Sequence, residues 1–186
     1  MTSTTTDKGI EYVNYTFGFK AVVPEHLYKE QTQTPKGVAF GRNPIVFIGS
    51  FPEYSIDNLY GYAIQQLRNQ GLTIRRDEYV YLRDLLARNC IFETRSMYSH
   101  AYYIQGRRSV YTIACFIRRD QLTADGFGVI MMVYNMIVLP TILNSFEELP
   151  YSNMGAATNL YSDTQYEDGP GTLMAKRGLI DIGVGW

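Results

Sequence analysis

From Val110 to Ile117 the chain reads VYTIACFI, eight residues without a charge. On an extended strand Val110, Thr112, Ala114 and Phe116 fall on one face, and Tyr111, Ile113, Cys115 and Ile117 on the other. Both faces are largely apolar. Such a strand needs cover above and below, so it belongs at the centre of a sheet with a packed layer on each side.

The flanking sequence supplies the sheet and its cover. LTIRRDEYVYL, LLARNCIFETRS and HAYYIQ lead into the central strand, the last through a GRR turn, and read as consecutive antiparallel strands. Upstream, YVNYTFGFKAVVP and GVAFGRNPIVFIGSFP carry Val, Ile, Phe and Tyr punctuated by Gly and Pro, and also read as strands. EHLYKEQTQTPK between them reads as a polar connection.

Residues 55–70 carry the signals of a helix: Ser55 as N-cap, Asp57 in the first turn, and Gly71 as the C-terminal stop. Ile56, Leu59, Tyr60, Ala63, Ile64 and Leu67 recur at steps of three and four and form one buried stripe. Gly61 costs helix propensity, so the expectation is that it lets another backbone approach closely. These elements predict an α+β fold, an antiparallel sheet flanked by helices.

Phe127 to Phe146 is a run of 20 residues without a charge, about the length of a membrane span. Asn135, Pro140, Thr141, Asn144 and Ser145 interrupt it, and the flanks Asp125 and Glu147 are acidic, with no Lys or Arg anchor. The expectation is a buried strand or helix followed by a helix starting near Pro140, not a span. In that second helix Ile142, Leu143 and Phe146 share the buried face.

In order, GFKAVVP, IVFIGSFP, SIDNLYGYAIQQLRNQG, LARNCIFETRS, HAYYIQGRRSVYTIACFI and a closing ILNSF resemble the PsbP-like family. That group takes in the extrinsic photosystem II protein, the Ran-binding nuclear import factor and bacterial secretion chaperones. The resemblance covers roughly residues 11–148 and implies an α/β/α sandwich that binds other proteins rather than catalysing a reaction. It brings no active-site residues with it, and fold analogy alone does not name a partner. The domain plan is an N-terminal arm over 1–10, the α/β domain over 11–149 and a C-terminal extension over 150–186.

Charge and composition exclude several classes. Lys plus Arg number 17 against 18 Asp plus Glu, so the electrostatic footprint of a nucleic-acid binder is absent. The opening MTSTTTDKGIEY has neither the cationic start nor the apolar core of a signal peptide, so a cytoplasmic place, or one within a virion or secretion assembly, is expected. Consecutive hairpins with tips near Tyr98 and Ser99 and at Gly106 to Arg108 set Cys90 near Gln105 and Cys115 near Ser99. The two thiols then lie on strands separated by a third, and both are expected free and buried.

His26 and His100 are the only histidines and read as surface residues without metal spacing. Asp77, Glu78 and Asp84 read as a solvated strand face beside their own arginines. No metal or cofactor is expected. Arg107, Arg108, Arg118 and Arg119 form two doublets near one strand, a candidate patch for an anion or an acidic partner.

The extension beyond Pro150 is too apolar for a simple solvated tail. Its LIDIGVGW has the alternation of an added edge strand, and Tyr151, Leu160, Tyr161, Tyr166, Leu179, Ile180, Ile182 and Trp186 are the expected partner anchors. The function expected is therefore non-enzymatic: a protein-interaction subunit of a phage or secretion-type assembly, its arm docked on other chains or on further copies of itself. A small cytosolic chaperone or immunity-like protein, and a lipid-associated binding protein, are the alternatives.

Overall fold

The computed structural model describes residues 2–150. In chain order these form β1 (Thr2–Thr6), β2 (Gly9–Asn14), β3 (Phe19–Val23), α1 (Glu25–Tyr28), β4 (Gln31–Thr34), β5 (Gly37–Phe40), β6 (Ile45–Phe51) and α2 (Ile56–Leu67). There follow β7 (Thr73–Leu82), β8 (Leu85–Glu93), β9 (Met97–Gln105), β10 (Val110–Arg118), α3 (Ala124–Val133), α4 (Leu139–Ser145) and β11 (Glu147–Glu148). A seven-stranded sheet in the order β4-β5-β6-β10-β9-β8-β7 is backed by a four-stranded sheet, β1-β2-β3-β11, and every pairing is antiparallel.

β10 sits at the centre of the large sheet, as its two apolar faces require. Ile113 pairs with Ile48 of β6 on one side and with Tyr102 of β9 on the other. Val110, Ala114 and Phe116 enter one core with Phe47, Phe92, Tyr103 and the α2 stripe Ile56, Leu59, Ala63 and Leu67. Tyr111, Ile113, Cys115 and Ile117 enter a second core, closed by Tyr12, Phe19 and Val23 of the small sheet and by Tyr134, Val138, Ile142 and Phe146. Strand alternation thus divides one sheet between two cores, and the layers are α2, large sheet, and a mixed layer of small sheet with α3 and α4.

α2 has the caps its sequence signals. The Ser55 hydroxyl accepts from the Asn58 N–H at 3.2 Å, and after a 3-10 turn at Arg68–Gln70 the chain leaves through Gly71 at φ +75°. Gly61 differs from expectation: it lies on the solvent face, and a methyl placed there meets nothing within 4 Å. It makes no close approach to another element.

Two stretches expected to be unpaired are strands. Residues 2–6, in the expected N-terminal arm, pair with β2, and QTQT of the expected polar connection pairs with β5 as the edge strand β4, after the single turn α1. Both are rich in Thr or Gln and lie at sheet edges, where no apolar alternation is demanded.

The β8–β9 turn also falls elsewhere. The Thr94 hydroxyl accepts the Met97 N–H at 3.2 Å, so the tip lies at Thr94 to Ser96 and Cys90 pairs with Ala101, not Gln105. Cys115 pairs with His100. The thiols are buried and free, on opposite faces of the sheet with β9 between them.

The uncharged run forms one continuous helical stretch, Ala124–Ser145, in which a π turn at Tyr134–Val138 joins α3 to α4. Pro140 has no N–H for the carbonyl four residues back, and the widened turn lies immediately before it. The expected break near Pro140 is therefore a change of helical pitch.

Candidate functional site

The helical stretch 124–145 has an inner and an outer face. Thr123 caps it by accepting the Gly126 N–H at 3.1 Å, and Asp125 occupies the first turn. Inward, Phe127, Ile130, Met131, Tyr134, Val138 and Ile142 pack into the core shared by the large and small sheets. Outward, Val129, Met132, Val133, Met136 and Ile137 are exposed, Met136 by 71%. Most of this stretch is therefore left outside the core. A soluble helix normally turns polar residues outward, so a stripe of this kind marks a contact surface.

Beside the C-terminal half of the stripe a cleft of about 680 Å³ runs between the β1–β2 turn and the helix. Asp7 and Lys8 form one wall, Met136, Ile137 and Pro140 the other, and Val22 lines it as well.

Beneath the helix lies a polar row. The Asn135 amide donates to the Tyr98 hydroxyl at 2.8 Å, and its oxygen accepts a hydrogen bond from His100 Nδ1 at 2.8 Å. Asn89 Oδ1 faces Nε2 at 2.8 Å, and the Asn89 amide nitrogen donates to the Glu78 carboxylate at 3.4 Å. His100 is 4% exposed, so the expectation of a surface histidine fails. Its place between Tyr98 and Tyr102 on one strand face was the signal for burial, and Asn135 in the uncharged run was the signal for a partner. Burial pushes the imidazole below its ordinary 6.5, against the opposing pull of Asn135.

The arginine doublets do not converge. Arg107 and Arg108 are exposed in the β9–β10 turn, whereas Arg118 ends β10 and Arg119 follows it, and β10 between them is about 27 Å long at ~3.4 Å per residue. The backbone N–H groups of Arg107 and Arg108 donate to the Glu148 carboxylate at 2.7 and 3.1 Å, where Asp84 and Glu147 share a cleft of about 450 Å³ with Arg83. At the far end Arg118 pairs with Asp120 at its Nε, 3.1 Å, and the Arg119 guanidinium sits 4.8 Å over the Phe127 ring. Each doublet has acidic neighbours, so together they form no single anion site.

Asp77 is likewise taken up in structure. Arg88 Nε and Nη2 donate to it at 2.7 and 2.9 Å, Arg88 Nη1 donates to Asp57 of α2 at 2.8 Å, and the guanidinium lies 3.4 Å over the Tyr60 ring. Arg88 holds the Asp77 carboxyl below its ordinary range, with help from the Tyr60 hydroxyl. Burial and the Asp77 carboxylate push the Tyr60 phenol up to about 12. Burial also raises the Cys90 thiol to about 12, which removes it as a nucleophile near neutral pH. Among the described residues no His, Cys, Asp and Glu cluster has metal-binding geometry.

The expected arm anchors Tyr151, Leu160, Tyr161, Tyr166, Leu179, Ile180, Ile182 and Trp186 lie outside the described residues.

No protein-family profile matches the chain, and no curated protein matches it. Among solved structures it is similar to cyanobacterial PsbP (CyanoP) from Synechocystis, with a TM-score of 0.50 at 11% identity, over 74% of this chain and 91% of that one. The fold is PsbP-like. A protein from Bacteroides thetaiotaomicron aligns at TM-score 0.45 and 10% identity over 76% of this chain and 48% of its own length. A Pseudomonas aeruginosa protein of unknown function, PA94, aligns at TM-score 0.34 and 13% identity over 74% and 96%. The PsbP-like fold is held here by the two-faced strand β10 and by its cover of α2 on one side and small sheet with α3 and α4 on the other.

Proposed function

We propose that this protein is a non-enzymatic interaction subunit of a multi-chain assembly of the phage or secretion-apparatus kind. It binds through the outer face of the 124–145 helix and through the C-terminal extension. The observation that carries this is the apolar outer face of that helix, which leaves Val129, Met132, Val133, Met136 and Ile137 bare. An apolar stripe of this size carries a standing cost in water that a bound chain removes, at about 25 cal/mol per Å² of apolar surface covered.

The test is a photo-crosslinking amino acid placed at Met136, and separately at Tyr161 in the extension, in cells that make the protein. Adducts to protein chains at both positions are expected. Absence of any intermolecular adduct at either position refutes the function.

A second function rests on the same helix, whose 22 residues are long and apolar enough to cross a membrane. For it, Met136 adducts form with lipid alone, and the protein floats with vesicles. The acidic flanks Asp125 and Glu147 and the sheet core packed on the inner face weigh against insertion.

A further inference from the structure

We infer that the partner of the outer helix face is a second copy of this chain, the two helices pairing antiparallel about a twofold axis. The inference rests on the proposed interaction role and names the occupant of that surface.

The stripe is self-complementary. Val129, Met132, Val133, Met136, Ile137 and Pro140 follow a spacing of three, one, three, one and three. Reversing that pattern reproduces it, with its centre between Tyr134 and Asn135. Two antiparallel copies therefore set Val129 level with Pro140, Met132 level with Ile137, and Val133 level with Met136. Each contact but the first joins a β-branched residue to an unbranched methionine, which fills irregular gaps well. No charge lies between Gly126 and Phe146, so the two helices bring no like charges of their own together. Asp125 at the rim stands level with Asn144 of the other copy, a neutral polar residue.

The area also fits. The five exposed side chains leave on the order of 500 Å² of apolar surface per copy, so a pair that covers all of it buries ~1,000 Å², at the lower bound for a specific interface. An interface of this size is that of a reversible dimer, not a permanent one. A lipid surface suits the face less well, because the sheet core is packed on the inner side of the same helix and Asp125 and Glu147 flank the apolar run.

The experiment uses the purified full chain. Light scattering across a concentration series is expected to show a monomer–dimer equilibrium, and Met136→Glu to weaken it at least 100-fold. Met136 is exposed, so this change leaves the monomer folded. A Val133→Cys variant treated with a short bis-maleimide is expected to give covalent dimers, while Gln65→Cys, exposed on α2, gives none. The native thiols are buried and do not compete.

A monomer at ~100 µM whose Val133→Cys thiol reacts freely overturns self-pairing and leaves the interaction role standing, to be decided by the crosslinks at Met136 and Tyr161. A monomer whose thiol is shielded places the chain's own extension on this face and overturns both. A dimer indifferent to Met136→Glu, or a monomer that floats with phosphatidylglycerol vesicles, also overturns self-pairing.

Discussion

Replacing Arg88 by Ala separates a structural role from a chemical one for the most charged cluster on the α2 side. The side chain is 15% exposed and joins three elements: two hydrogen bonds to Asp77 on β7, one to Asp57 on α2, and its plane on the Tyr60 ring. Asp57 is 69% exposed, so its ion pair contributes at most a few tenths of a kcal/mol. Asp77 is 31% exposed and its paired bonds are charge-assisted, so after solvent screening they contribute about 1 to 1.5 kcal/mol. Stacking on Tyr60 adds about 0.5 to 1 kcal/mol. Arg88→Ala should therefore cost about 2 to 3 kcal/mol, with a fall in Tm of roughly 5 to 10 °C for a chain of this size.

The assay is urea unfolding followed by circular dichroism, run with Asp77→Asn and the double variant as a cycle. The pH dependence carries the same signature. Arg88 lowers the folded-state value of Asp77 below 3.8, so this contribution is present above pH 3.8 and is lost as pH falls through the folded value. In Arg88→Ala that acid-side loss shrinks, because only the Tyr60 hydroxyl still bonds the carboxylate. A cost below 0.5 kcal/mol, or no coupling between the two sites, refutes the assignment of Arg88 as the clamp between α2 and the sheet.

Gly61→Ala on the solvent face of α2 should stabilise by about 0.5 to 1 kcal/mol, read as a higher urea midpoint at unchanged slope; a loss of stability would mean the glycine has a backbone role the fold does not reveal. His100 is held below 6.5 in the folded state, so its neutral form contributes stability that is complete above pH 6.5 and declines as pH falls toward the folded value. Each unit of depression corresponds to about 1.36 kcal/mol. The slope of stability between pH 7 and 5 should flatten in His100→Gln, and a histidine titrating by NMR at or above 6.5 at this position would refute the burial argument.

Much of the scaffold was legible locally. Ser55 and Gly71 bound α2 because capping depends on neighbouring backbone groups alone, and the alternation of VYTIACFI placed β10 at the centre because burial on both faces is a property of the strand itself. β1 and β4 were not legible. Their Thr and Gln residues lie at sheet edges, where pairing is imposed by the neighbouring strand and leaves no apolar period in the sequence. Gly61 was misread for a related reason: a glycine in a helix reads the same whether its bare side faces a backbone or water.

The candidate surface was half legible. Sequence alone determined that residues 127–146 form an uncharged apolar segment, and that Arg107, Arg108, Arg118 and Arg119 flank one strand. Tertiary structure decided which side of that segment is spent on the core and which is left bare. It also decided that the doublets lie at opposite ends of β10, and that His100 is buried beside Asn135. Local pattern fixes what an element must bury, because its period is built into the backbone. Which surface stays uncovered depends on the finite area of the sheet packed against it, and that is a property of the whole fold.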